Sequence, residues 1–162
     1  MAMMIDVPSV DHVRYVADHI RPKDAEEFLA VSFASNRAEL ADTLVQRYGA
    51  HHEAYCFSDD DGTPVAVGAM VEGRPNVITL MFFATEQFCR LALPIARFTK
   101  RRLFPNYVDA GVHRIECISI AGYDQAHKWI RLCGMKEEGV FRGFGKNGET
   151  FHQFAWIADD VR

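Results

Sequence analysis

Ala126-His127-Lys128-Trp129-Ile130-Arg131-Leu132-Cys133-Gly134-Met135-Lys136-Glu137-Glu138-Gly139 is the stretch whose reading decides the fold. It predicts a helix from Tyr123 to Cys133, closed by Gly134, because a glycine enters the left-handed conformation of a helix end without steric penalty. A strand follows from Lys136 to Phe144, and a second, Glu149 to Ile157, returns through the Gly145-Lys146-Asn147-Gly148 turn. Upstream, His113 to Ile120 reads as a strand. The segment is therefore the strand–helix–strand end of a mixed domain.

Working back towards the N-terminus, a long helix is expected from Glu86 to Phe104. Pro94 should kink it or delay its regular start, and Pro105-Asn106 marks its end. Lys100-Arg101-Arg102 then falls in the last turn, where cations complement the helix dipole. Before it come three strands forming an antiparallel meander: Glu53 to Ser58, Pro64 to Val71, and Val77 to Ala84. Asp59-Asp60-Asp61-Gly62 joins the first two, and it lacks the downstream ligands of a calcium loop, so a solvated turn is the plainer reading. Two helices precede them, opened by Arg21-Pro22-Lys23-Asp24 and spanning Arg37 to Tyr48. His12 to Ile20, rich in β-branched and aromatic residues, reads as an initial strand. The expected order is β-α-α-β-β-β-α-β-α-β-β. That describes one α/β (α+β) domain over residues 1–162, with a mainly antiparallel twisted sheet of six to seven strands flanked by helices.

With a formal net charge of -4 and a pI near 5.9, the chain carries no broad basic footprint for nucleic acid. Cys56, Cys89, Cys117 and Cys133 are irregularly spaced without a Cys-x-x-Cys pair, so reduced thiols are expected, not a zinc site or disulfide framework. No apolar run approaches the roughly 20 residues of a membrane span, and charges interrupt the N-terminal region, so a cytoplasmic domain is expected.

The late segment resembles the GNAT (N-acetyltransferase-like) family, whose corresponding helix and strand usually read Asn-x-x-Ala-x-x-x-Tyr-x-x-x-Gly-Phe. Four further stretches are similar to phage and prophage acetyltransferase-like proteins, a group that includes small internal virion proteins of short-tailed phages. They are Ile20 to Glu27, Pro105 to Asp109, Lys128 to Ile130, and Glu149 to Phe154. The resemblance implies acetyl-CoA as co-substrate and an amine as acceptor. It equally admits a catalytically inactive virion or assembly protein whose partners are phage structural proteins, placed in the host cytoplasm or the virion. A homodimer is left open.

The resemblance also places a site. Phe83 and Ala84, ending the fourth strand, would offer backbone groups to the pantetheine arm. The phosphate loop, Gln/Arg-x-x-Gly-x-Gly/Ala, falls on Gln87-Phe88-Cys89-Arg90-Leu91-Ala92. Gln87 and Ala92 fit, whereas Arg90 replaces a glycine and either blocks a phosphate or binds one. The family's acid tyrosine falls on Ile130, which has no proton to give. Tyr123 stands at the helix-opening asparagine and either substitutes as acid or packs there.

For a general base, Glu116 alternates with Ile115 and Cys117. Pointing into a cleft, it would have a raised pKa; on the rim, it would pair with an arginine. Glu86 is a second candidate, also explained by helix-dipole stabilisation. His113, His127 and His152 have suitable intrinsic pKa values but show no metal-ligand spacing, and Cys117 and Ser119 lack a nucleophile motif.

Overall fold

A computed structural model describes residues 2–159. Seven strands make one sheet in the order β1-β2-β3-β4-β5-β7-β6, flanked by helices. The strands are β1 (Met4–Asp6), β2 (Ala54–Ser58), β3 (Pro64–Arg74), β4 (Val77–Ala84), β5 (Arg114–Ile120), β6 (Lys136–Phe141) and β7 (Phe151–Ile157). The chain gathers into two compact units, one running through Met70 with Met81–Leu91, the other comprising Val71–Leu80 and the residues from Ala92.

In the first unit, α1 (Val10–Asp18) occupies the place where the sequence suggests a strand. Ser9 decides this: its hydroxyl accepts from the His12 amide at 3.2 Å, while His12 Nδ1 accepts from the Ser9 amide at 3.3 Å. Both orphan donors are satisfied, and Val13, Val16 and Ala17 then recur on one buried face. The β-branched composition is outweighed by the cap and by helical spacing. The first strand lies earlier, at Met4–Asp6, antiparallel to β2.

Pro22 opens α2 (Pro22–Ala30), and the Asn36 side chain caps α3 (Arg37–Tyr48) by accepting from the Glu39 amide at 2.9 Å. The β2–β3 connection uses its acids as turn chemistry. Asp59 Oδ1 accepts from the amides of Asp61 and Thr63 at 3.2 and 3.0 Å.

In the second unit, the expected long helix is broken differently from its reading. Glu86–Arg90, at the end of the first unit, is a single 3₁₀ turn, and α4 starts only at Ala92 (Ala92–Phe98). A π-turn over Thr99–Leu103 follows, and α5 (Phe104–Asp109) continues through Pro105 instead of ending there. Proline lacks an N–H and collides with the carbonyl four residues back; widening the turn before Pro105 lets the helix accommodate it. The basic run Lys100-Arg101-Arg102 therefore lies inside this helix at the π-turn, not in its last turn.

β4 and β5 run parallel, with Val77–Thr79 in register with Arg114–Glu116. β5 is antiparallel to β7 along its whole length, Arg114 to Ile120, and β6 closes the edge. Between them, α6 (Asp124–Leu132) buries His127, Trp129 and Ile130, and it ends at Gly134 with φ +97°. No described helix is long and apolar enough to cross a membrane.

Candidate functional site

The residues expected to hold a cofactor lie mainly at the end of β4 in the first unit. Phe83 is fully buried, with its ring edge-on to Phe28 at 5.7 Å and tilted against Tyr48 at 6.1 Å, so its side chain belongs to the core. The Thr85 amide donates to Val65 O of β3 at 2.9 Å. Strand groups alternate from edge to edge, so those of Ala84 point away from β3. Both are taken: the Ala84 amide donates to Asp24 Oδ2 at 2.9 Å, and its carbonyl accepts from the Arg21 amide at 2.9 Å.

Asp24 is 2% exposed and also receives Arg21 Nε and Nη2 at 3.1 and 2.9 Å. The Arg21 guanidinium in turn lies over the Phe88 ring, 4.5 Å from its centroid. The start of α2 is thereby stitched to the end of β4, an arrangement that sequence reading passed over because the partners are separated by 60 residues. The only local signal is an aspartate in the first helical turn, which the helix dipole explains equally well.

Beyond Ala84, Thr85 caps the 3₁₀ turn, with its hydroxyl accepting from the Gln87 amide at 3.3 Å. The Phe88 and Leu91 amides close on Thr85 O and Phe88 O at 3.1 and 2.9 Å. Those donors are spent within the turn and are not aimed outward. Gln87 and Arg90 are exposed, and Arg90 makes no ion pair among the described residues. An anion reaching this loop would meet the free guanidinium of Arg90 in place of a glycine's backbone. Glu86 is exposed in the same turn.

In the second unit, Ala92 O accepts from Trp129 Nε1 at 2.8 Å, tying the first residue of α4 to α6. Ile130, where the resemblance has its acid tyrosine, is buried and apolar. Tyr123 sits at the N-cap position of α6, 4% exposed, with no side-chain cap bond.

Glu116 lies on the β5 face opposite Ile115 and Cys117, as its alternation predicts, in a charged network. Arg114 Nε donates to Oε2 at 2.5 Å, Arg74 Nη2 to Oε1 at 3.1 Å, and Gln153 Nε2 to Oε2 at 3.3 Å. Arg114 also grips Glu138 with both terminal nitrogens. Burial alone would push the Glu116 pKa up, but the hydrogen bonds and charges of Arg114 and Arg74 outweigh it. Its carboxyl is left below the ordinary value, not raised into the range useful to a base.

The histidines separate by environment. His127 is 6% exposed, and its Nε2 meets Ile120 O at 3.1 Å. His152 Nδ1 lies 2.7 Å from Glu137 Oε1. His113 is half-buried at the start of β5. Ser119 Oγ is enclosed, with no hydrogen-bond partner among the described residues. Among the described residues, no group of three or more His, Cys, Asp or Glu is placed to hold a metal ion.

This architecture is the GNAT fold, and it matches solved acetyltransferases over nearly the whole chain. An acetyltransferase of the GNAT family from Bacillus anthracis matches at TM-score 0.69 and 11% identity, covering 97% of this chain and 95% of that one. The ribosomal-protein-S18-alanine N-acetyltransferase from Escherichia coli matches at TM-score 0.66 and 13% identity, covering 99% of each. Spermidine N-acetyltransferase from Vibrio cholerae, solved with CoA and spermine, matches at TM-score 0.65 and 12% identity, covering 96% and 95%. At these identities the likeness is one of fold. No protein-family model and no curated protein matches the sequence.

Proposed function

We propose that this chain is an acetyl-CoA-dependent N-acetyltransferase acting on an amine yet to be identified. The observation that carries the reading is the end-to-end likeness to acetyltransferases, one of them solved with CoA and a polyamine. Supporting it, β5 continues to Ile120 although its parallel register with β4 covers only Val77–Thr79. In open sheets the carboxyl ends of parallel strands are a usual place for ligands.

In this reading Gln87, Arg90 and amides near Ala92 hold the pyrophosphate, with Arg90 acting through its charge. The end of β4, at Phe83 and Ala84, borders the pantetheine arm. Because the Ala84 groups are engaged by Arg21 and Asp24, that arm would find its partners earlier along the strand. Tyr123 supplies a hydroxyl at the start of α6. Glu116, with both oxygens bound by arginines, is a weak base and acts directly or through water.

Thermal melting with and without acetyl-CoA tests this reading. At a ligand concentration 100 times Kd the native state gains about 2.7 kcal/mol, a rise of roughly 5–10 °C for a chain of this size. An unmoved midpoint in millimolar acetyl-CoA would sink the proposal.

A second reading has a specific observation behind it. Buried, apolar Ile130 stands where the resemblance puts the acid, which favours a catalytically inactive scaffold, such as a phage virion or assembly protein. Co-purification with phage particles or portal components, with no acetyl-CoA shift, would select it.

A further inference from the structure

The basic run Lys100-Arg101-Arg102 loses its local explanation once the helices are traced. Cations in a last helical turn complement the dipole, but this run sits at the π-turn, and α5 carries the chain on to Asp109. The residue at that helix end is an acid.

Contacts on β7 fix where these helices lie in the second unit. Phe154 and Trp156 alternate with Ala155 and so project from one sheet face. The His127 ring of α6 lies 5.2 Å from that of Phe154, and the Phe104 ring of α5 lies 5.4 Å from that of Trp156. Trp129 Nε1, donating to Ala92 O, ties α6 to α4. A Cβ on Gly134 would lie 3.8 Å from Lys100 Cε, so the end of α6 also meets the π-turn. The stretch from Ala92 to Asp109 and α6 therefore form one layer over one sheet face, with their outer sides turned to solvent.

That outer surface is cationic. Arg97, Lys100, Arg101, Arg102 and Lys128 are all exposed, and none has an ion pair or hydrogen-bond partner among the described residues. Arg131 is engaged, 3.8 Å from Glu137 Oε1 and over the Phe154 ring. The two acids of the layer, Asp109 and Asp124, stand at the last residue of α5 and the first of α6. Six cations against two acids give these helices a formal +4, so the rest of a chain of net charge -4 carries -8. The surplus runs against the sign of the whole chain, and like charges three and four apart on a helix repel.

Two leucines share the surface. Leu93 precedes Arg97 by one helical turn, and Leu132 follows Lys128 by one. They are 62% and 53% exposed, the exposed large hydrophobic residues of these helices among the described residues.

We propose that this layer docks on an anionic lipid bilayer. The five free cations meet the headgroup phosphates and carboxylates, and Leu93 and Leu132 enter the boundary with the acyl chains. The proposal is independent of acyl transfer.

Charge complementarity calls for an anionic partner, and the leucines choose among anions. A duplex backbone offers nothing to an exposed leucine, and single strands are gripped by aromatic stacking. No aromatic side chain is exposed on this layer among the described residues. Protein interfaces likewise centre on aromatic or arginine anchors seated in pockets. A bilayer surface takes cations and scattered apolar side chains together, and two helices side by side on a sheet present both at once.

Sedimentation of the intact chain with sucrose-loaded vesicles tests the proposal. The chain should partition onto phosphatidylcholine vesicles containing roughly 30% phosphatidylserine, less as salt rises, and not onto pure phosphatidylcholine. Each cation near such a surface is worth about fivefold in partitioning, so Arg97→Gln, Lys100→Gln and Arg101→Gln together should lower it about 100-fold. These side chains are exposed and repel one another, so the triple variant should melt no lower than wild type. That control separates lost docking from lost folding. Leu93→Ser with Leu132→Ser should lower partitioning several-fold while leaving the charge intact.

Absence of binding to the anionic vesicles overturns the proposal, as does equal partitioning of wild type and the triple variant. Binding to a mixed-sequence DNA duplex but not to vesicles assigns the surface to another polyanion and overturns it too. Partitioning unchanged by the two leucine substitutions removes the insertion on which the choice of a bilayer rests, and overturns it equally.

Discussion

Asp24→Ala removes a carboxylate that serves two elements. In the native chain its oxygens take the Ala84 amide of β4 and the guanidinium of Arg21, and its side chain is 3% exposed. Truncation leaves a buried backbone N–H without its acceptor and removes the carboxylate that Arg21, whose side chain is 17% exposed, grips with Nε and Nη2. Removing one partner of a buried pair costs about 3–5 kcal/mol, because the remaining charge stays desolvated. For a chain of this length each kcal/mol lowers Tm by roughly 2–4 °C, so the expected loss is roughly 6–20 °C.

Asp24→Asn separates the two roles. The amide oxygen still accepts from Ala84 while the charge is gone, so the loss should be smaller, about 1.5–3 kcal/mol. Urea unfolding followed by far-UV circular dichroism gives both values from shifts in the midpoint at constant slope. If Asp24→Ala unfolds within about 1 kcal/mol of wild type, the end of β4 is not held by this carboxylate.

Three other expectations follow from single residues. Cys89 is the exposed thiol, whereas Cys56, Cys117 and Cys133 are buried, with burial pushing Cys133 up to about 12; a thiol reagent at pH 8 should therefore label one cysteine quickly and the other three only after unfolding. Gly134→Ala should destabilise by about 1–2 kcal/mol in urea titration, because φ is +97° while a Cβ would make only ordinary contacts, with Trp156 Cδ1 at 3.6 Å and the Lys100 side chain from 3.8 Å; an unchanged midpoint would contradict the left-handed helix end. For Glu116 the sign is set by a folded pKa below the ordinary 4.5: its contribution is present above that value and lost as pH falls through the folded one. The Tm gap between wild type and Glu116→Gln should accordingly narrow from pH 7 to pH 3, and a constant gap would mean the arginine contacts do not hold the carboxylate.

The elements read most accurately were those specified by local chemistry. Gly134 ended its helix where a left-handed residue was needed, and the Asp59–Gly62 turn was written in side chains that bond their own backbone. Reading failed where two local signals competed. At residues 12–20 β-branched composition suggested a strand, while a reciprocal cap between Ser9 and His12 specified a helix. At Pro105 the rule that proline ends a helix was correct about the conflict but not about its resolution, since a π-turn relieved it. Neither resolution is a property of one residue; each depends on a neighbour three to six positions away and on the core that its face meets.

The candidate site was legible to a smaller degree, because its defining contacts are non-local. Glu116 faces away from Ile115 and Cys117 as its alternation predicts, yet its pKa is set by Arg114 and by Arg74, which ends β3 and lies 42 residues away in sequence. His127 looked isolated for the same reason. Its surroundings are set by the β5–β7 register, which places Ser119 against His152, and by β6, which is irregular between Glu137 and Gly139. That irregularity lies beside the Glu137 that reaches His152. Shift the register by one residue and Ser119 and His152 move to opposite faces. An extra residue in β6 is therefore a stricter probe of this arrangement than loss of any one of its side chains: inserted after Glu138, it should spare β5 and β7 while taking Glu137 away from His152.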